Sequence, residues 1–230
     1  MKRFAHALIV LLVPVILVLS WLRVLLTPMF IRSEYHKAAF PPDPYGFSLE
    51  DRLHWSETSR QYLLNREGIQ FLGDQTLPDG TPLYNTRELG HMADVKKVVS
   101  GALLTWAVAL LAGALASAVL VRRSGTLFLH ALQSGSVLTI ALLVAILAGV
   151  FLAWNWFFVF FHRIFFAGDT WLFLYSDSLI RLFPEMFWQD CFVTLGVGTA
   201  LSAAVLWVIA RVVGRRLRVT APAAKGGAAG

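Results

Sequence analysis

A chain of 230 residues, 57% of them hydrophobic and with a mean hydropathy of +0.64, is too apolar for an ordinary soluble domain, so a bilayer is its expected solvent. Its net charge of +6 and pI near 9.8 would suit a nucleic-acid binder only if the basic residues shared one soluble face. They sit instead at the ends of apolar runs, which argues for membrane lipids and against nucleic acid as partners, and the single cysteine, Cys191, excludes an intrachain disulfide or a Cys-rich metal site.

The first apolar run, about 4–26, follows Lys2 and Arg3. It lacks a small-x-small cleavage site and continues through Trp21 and Arg23, so it is expected to stay as an anchor, with Arg23 snorkelling at its outer end. Residues 27–96 form a loop too long for a bare connector and predict a small cap on the membrane surface. Within it, Pro41, Pro42 and Pro44 enforce an extended entry. Ser48 before Glu50 and Asp51 marks the start of a helix over Leu49 to Leu64. Leu77-Pro78-Asp79-Gly80 is a turn, flanked by possible short strands at Phe71 to Leu72 and Thr81 to Tyr84, which makes the expected cap α+β. Asn85 or Thr86 can cap a helix beginning at Arg87 that runs into a second span, about 97–121.

After Arg122 and Arg123, Thr126 to Gln133 reads as an interfacial helix or as the first turns of a long third span; the interfacial reading is preferred, with the span itself at about 136–161. An outer loop at 162–190 follows. Within it, Asp177 can cap a short helix from Ser178 that Pro184 ends, with Leu179, Ile180, Leu182 and Phe183 laid on the membrane. A fourth span covers about 191–213, and the Ala/Gly-rich tail 221–230 is expected to be disordered. No internal repeat points to a two-halved transporter.

Each of the four apolar runs reaches or exceeds the roughly 20 residues that cross a hydrocarbon core. Lys2, Arg3, Arg122, Arg123, Arg211, Arg215, Arg216, Arg218 and Lys225 flank the N-terminus, the second connection and the C-terminus, while all fourteen acidic residues fall in the first loop and the third connection with its exit. Because Lys and Arg favour the cytoplasmic side, the expectation is a single all-α membrane domain over 1–230 with four transmembrane helices, N-in and C-in, and with both polar loops extracytoplasmic.

Two segments at the outer boundary are more polar than a loop requires. In Arg87-Glu88-Leu89-Gly90-His91-Met92-Ala93-Asp94-Val95-Lys96, helical spacing puts Glu88 and Asp94 within reach of His91, where either could orient the imidazole. The second segment, Phe161-His162-Arg163-Ile164-Phe165-Phe166-Ala167-Gly168-Asp169-Thr170-Trp171, ends the third span at the same depth. Histidines and Arg163 or Trp171 at span ends can be plain interfacial residues, but titratable groups gathered beside an apolar bundle are also the default candidate for an active site. No Gly-x-Ser-x-Gly elbow, phosphate loop or His-Glu-x-x-His helix is present.

These two segments, together with Asp-x-Leu-Ile-x-Leu-Phe-Pro-Glu-x-Phe-Trp at 177–188, an N-terminal anchor and a cap of this length, resemble the bacterial lipoprotein intramolecular transacylase family over nearly the whole chain. The resemblance implies a cofactor-free acyltransferase of the bacterial cytoplasmic membrane acting on diacylglyceryl-modified lipoproteins. The sn-2 acyl chain moves to the α-amino group of the N-terminal cysteine and leaves the lyso form. It further implies His91 and His162 as the catalytic pair, and the residues around them, Arg87, Glu88, Asp94, Arg163, Asp169 and Trp171, are taken as supporting. The assignment taken is His91 as base and His162 as acid or oxyanion stabiliser, with exchange of roles left open. Competing readings are a membrane metal hydrolase using both histidines with Glu88 or Asp169, and a non-catalytic scaffold or sensor.

Overall fold

The computed structural model describes residues 1–166 and 168–219. Among them nine helices follow in chain order: α1 (Lys2–Leu25), α2 (Pro28–Tyr35), α3 (Leu49–Leu64), α4 (Gln70–Gly73), α5 (Thr86–Arg123), α6 (Gly125–Leu152), α7 (Trp154–Phe165), α8 (Ser178–Leu182) and α9 (Glu185–Val219). The four helices α1, α5, α6 and α9 are long and apolar enough to cross a membrane. The predicted disordered tail lies outside the described residues.

In the bundle α1 packs against each of α5, α6 and α9, and α6 runs along α9. Lipid tails supply no hydrophobic drive between helices, so close approach and interhelical hydrogen bonds must hold them. Gly198 on α9 lies directly under the Trp21 ring, and a Cβ at Gly135 would meet Val13 at 2.7 Å. The Trp21 indole donates to Ser202 at 3.0 Å, and that of Trp106 to Ser20 at 3.0 Å.

Ser124 alone separates α5 from α6, and its hydroxyl accepts from the Leu127 N–H at 3.3 Å. That tight turn leaves no room for a separate interfacial piece, and Thr126 to Gln133 form the first turns of α6. The third apolar run breaks further on, at Ala153 (φ −152°, ψ 56°). Beyond the break, Trp154, Phe157 and Phe161 of α7 meet Phe192 of α9 at 5.9, 5.1 and 5.5 Å between ring centres. The predicted span 136–161 is therefore divided between α6 and a redirected aromatic helix.

With 38 residues, α5 is about 57 Å long, nearly twice the hydrocarbon thickness, so its polar first turns stand clear of the apolar run and enter the cap. Asn85 caps it: its side chain accepts from the N–H groups of Arg87 and Glu88, while Glu88 reaches back to the Asn85 N–H. Ser48 and Asp51 form the same reciprocal cap on α3.

The expected α+β cap is corrected: no strand occurs among the described residues, only an isolated bridge between Thr76 and Pro82. The turn itself is present, with the Gly80 N–H bonded to the Leu77 carbonyl at 2.9 Å and Gly80 at φ 83°. Its arms are too short for a ladder. Leu72 lies in α4, and together with Leu83 and Tyr84 it fills a helical core with Tyr62, Met92, Leu179 and Leu182. That core also corrects the expectation for the outer loop. Leu179 and Leu182 are buried in the cap, and the exposed apolar residues of the loop include Leu172, Leu174 and Tyr175 instead.

Candidate active site

His91 sits on the second turn of α5 and is only 9% exposed. Three rings wall it: Phe166 at 4.7 Å, Phe173 at 5.3 Å and the imidazole of His162 at 6.2 Å, inclined by 23°. Its Nδ1 is buried without a hydrogen-bond partner among the described residues. Such an orphan costs about 1–3 kcal/mol, and folds seldom tolerate it outside sites that need it.

His162, near the end of α7, is held differently. Its Nδ1 lies 2.8 Å from the Phe158 carbonyl, which can only accept, so Nδ1 carries the proton and the neutral ring presents Nε2 as an acceptor. Phe158 and Trp171 cover the ring at 4.1 and 4.8 Å, and the buried Trp171 is fixed by its indole N–H to the Gly168 carbonyl at 3.1 Å. Burial pushes the pKa of His91 down to about 4, helped by the neighbouring His162 and slightly opposed by Asp94. Burial lowers His162 as well, against the opposing bond to Phe158. Both imidazoles are thus neutral near pH 7, and they are close enough for one small polar group to touch both.

The proposed orientation of His91 by Glu88 or Asp94 is corrected. Both oxygens of Glu88 are committed to backbone, one to the Asn85 N–H and one to the Leu179 N–H, each at 2.7 Å. Burial raises its pKa, and those two bonds work in the opposite direction. Asp94 pairs with Lys97 at 2.9 Å on the exposed side of α5. Arg87 reaches Asp177 at 3.1 Å, and the same carboxylate accepts from Asn85 at 3.1 Å and from the Leu174 N–H at 2.8 Å. Asp177 thereby serves the loop rather than capping α8 with its side chain. From the other side, the Tyr35 hydroxyl donates to the Leu182 carbonyl and Arg181 pairs with the buried Asp43 at 2.9 Å. These contacts fix the segment that carries Phe173 over His91.

Of the residues expected in the site, the fold brings together His91, His162 and Trp171. It puts Arg87 and Glu88 in the scaffold behind them, leaves Asp94 half-buried and paired with Lys97, and leaves Arg163 and Asp169 exposed. Of the two carboxylates named for a metal hydrolase, Glu88 is engaged with backbone and Asp169 is exposed, and among the described residues no group of three or more His, Cys, Asp or Glu is gathered to hold an ion. Phe158 and Phe166, four residues either side of His162, were discoverable from helical spacing. Phe173 and the link from Asp177 to Arg87 were not, because only the tertiary fold brings them to α5.

Comparison with known proteins adds four findings. Residues 6–188 match the model of the family described as lipoprotein intramolecular transacylase Lit. An uncharacterised protein of Aquifex aeolicus is 28% identical over 193 residues, covering 83% of this chain and 85% of that protein. The in meso structure of the membrane-integral lipoprotein intramolecular transacylase Lit from Bacillus cereus is similar with a TM-score of 0.68 at 17% identity, covering 96% of this chain and 99% of that one. The same protein with a histidine-to-alanine substitution aligns with a TM-score of 0.71, covering 96% of both chains. At that identity the likeness concerns the fold.

Proposed function

The chain belongs to the lipoprotein intramolecular transacylase family, and we propose that it transfers the sn-2 acyl chain of a diacylglyceryl-modified lipoprotein to the α-amino group of the same lipoprotein's N-terminal cysteine. The amine nitrogen attacks the ester carbonyl carbon, a C–N bond forms, and the C–O bond to glycerol breaks. The proton lost by nitrogen ends on the glyceryl oxygen. Ester to amide is downhill, so neither water nor an external acyl donor is consumed. Amine and ester share one molecule, and holding them in attack geometry is the first contribution of the site.

Proton traffic is the second, and the carrying observation is the pair of neutral imidazoles facing each other at 6.2 Å behind aromatic walls. The bond from Nδ1 to the Phe158 carbonyl leaves His162 with an acceptor at Nε2, which favours it as the base toward the amine. The unpaired, enclosed Nδ1 of His91 is then free to donate to the carbonyl oxygen as negative charge develops there, and to pass a proton toward the departing alkoxide. This exchanges the roles expected from sequence. Attack itself makes the nitrogen more acidic than a free ammonium, so a weakly basic imidazole suffices to take the proton. Neutral rings also admit a substrate with two acyl chains without burying a charge.

The charge pattern supports an N-in, C-in orientation in the bacterial cytoplasmic membrane, with the cap and the histidines extracytoplasmic, where lipoproteins are anchored. The packing of Ala5, Leu120 and Ala131 in one cluster agrees with this, since it gathers the start of α1, the end of α5 and the start of α6 at one end of the bundle.

Mass spectrometry of the N-terminal lipopeptide of a reporter lipoprotein tests the reading. Wild type is expected to yield an N-acyl, S-monoacylglyceryl peptide, and His91→Ala and His162→Ala the unchanged diacylglyceryl form. Glutamine can donate a hydrogen bond but cannot act as a base, so His91→Gln should keep more activity than His162→Gln; the reverse order restores His91 as the base.

A further inference from the structure

The end of the bundle remote from the histidines carries a polar feature that acyl transfer does not use. On α6, His130, Gln133 and Ser134 share a face with Val137, and a crevice of ≈ 330 Å³ separates that face from Trp207 on α9. None of the three polar side chains has a hydrogen-bond partner among the described residues, and His130 and Ser134 are exposed although α6 is a crossing helix. Unmatched polar groups on a lipid-facing surface are costly unless something in the membrane satisfies them. Arg211, one turn beyond Trp207, lays its guanidinium 4.9 Å over the indole ring and brings a cation beside the crevice.

The surroundings give the ligand its sign. Arg122, Arg123 and Arg215 lie at the same end, and the terminal segments and connection found there contain no Asp or Glu. A zwitterionic headgroup brings a cation that this basic field repels, whereas a net-anionic headgroup presents its phosphodiester to the guanidinium and the hydrogen-bond donors without that penalty. The crevice is at the lower limit for a small-molecule site and fits a headgroup with its glycerol ester region, the acyl chains remaining in the bilayer.

We propose that the α6–α9 seam binds one anionic phospholipid, with its phosphodiester between Arg211 and His130 and its glycerol esters against Gln133, Ser134 and Trp207. This site is separate from the catalytic pair and does not depend on the assignment of the reaction.

Native mass spectrometry of the full chain in mild detergent, titrated with phosphatidylglycerol or phosphatidylcholine, provides the test. One phosphatidylglycerol should be retained at least tenfold more tightly than phosphatidylcholine, and Arg211→Gln combined with His130→Ala should weaken it at least fivefold while reporter transacylation in detergent stays unchanged. Equal retention of the two lipids, or undiminished retention in the variant, overturns the proposal. So does a lipid-free dimer that Arg211→Gln dissociates, since a second copy would then be the occupant. If the double variant does not fold, Gln133→Ala gives the same comparison, and the preference between headgroups is read on wild type alone.

Discussion

Two polar clusters occupy the first two turns of α5, and they are built in opposite ways. In the clamp formed by Asn85, Arg87, Glu88 and Asp177, both carboxylates and the asparagine are fully engaged, with N–H groups or with Arg87. One turn further along, His91 is buried with a nitrogen that nothing satisfies, facing a histidine whose own free nitrogen is an acceptor. The first cluster invests its hydrogen bonds in the fold. The second leaves them unspent for a substrate, so adjacent residues of one helix divide stability from chemistry.

The largest effect that could break this division is on activity. His91→Ala or His162→Ala should each lower transacylation about 10²–10⁴-fold, the usual scale for general acid–base groups, with little change in the melting temperature of the purified protein. A melting point that falls with the activity would move the histidines to the structural side.

The pH profile comes next. His91 stays neutral down to about 4, and burial shifts His162 in the same direction, so neither is the first group to gain a proton as the pH falls from 8 to 6. The substrate amine, with an ordinary pKa near ~8, does gain one there. The initial rate should therefore fall about tenfold per pH unit below ~8 with unit slope. A steeper limb would reveal a histidine titrating with the amine.

Glu88→Gln should act mainly on stability. The amide keeps one acceptor and turns its NH2 toward the other backbone N–H, leaving one buried donor unpaired at a cost of about 1–3 kcal/mol, read as a lowered melting temperature. Lost activity at unchanged stability would return Glu88 to the chemistry. The smallest effect belongs to Arg87→Gln, whose ion pair with Asp177 is partly open to solvent: about 1 kcal/mol or less, and weaker still in high salt.

The same contrast explains what could be read from sequence. Ser48 with Asp51 and Asn85 with Glu88 are caps closed within four residues, and the four apolar runs are decided by length, so both were legible locally. The histidines were legible through the segments that hold them. The second partner of Glu88 was not, because Leu179 is 91 residues away in sequence. Nor was the inward turn of Leu179 and Leu182, since an apolar stripe on a short helix is satisfied equally by lipid or by a core. The break at Ala153 carries neither glycine nor proline at the site, and only the aromatic contacts with Phe192 account for it.

That break sets the two histidines on supports of unequal firmness. His91 rides on a helix anchored in both the bundle and the cap core, whereas α7 buries none of its residues and rests on Phe192, Trp171 and Phe166 through its rings. Heat or a poorly matched detergent should therefore loosen α7 and silence the protein while the four long helices remain assembled. A sample can then be monodisperse and helical yet inert, and its quality is better judged by turnover than by circular dichroism.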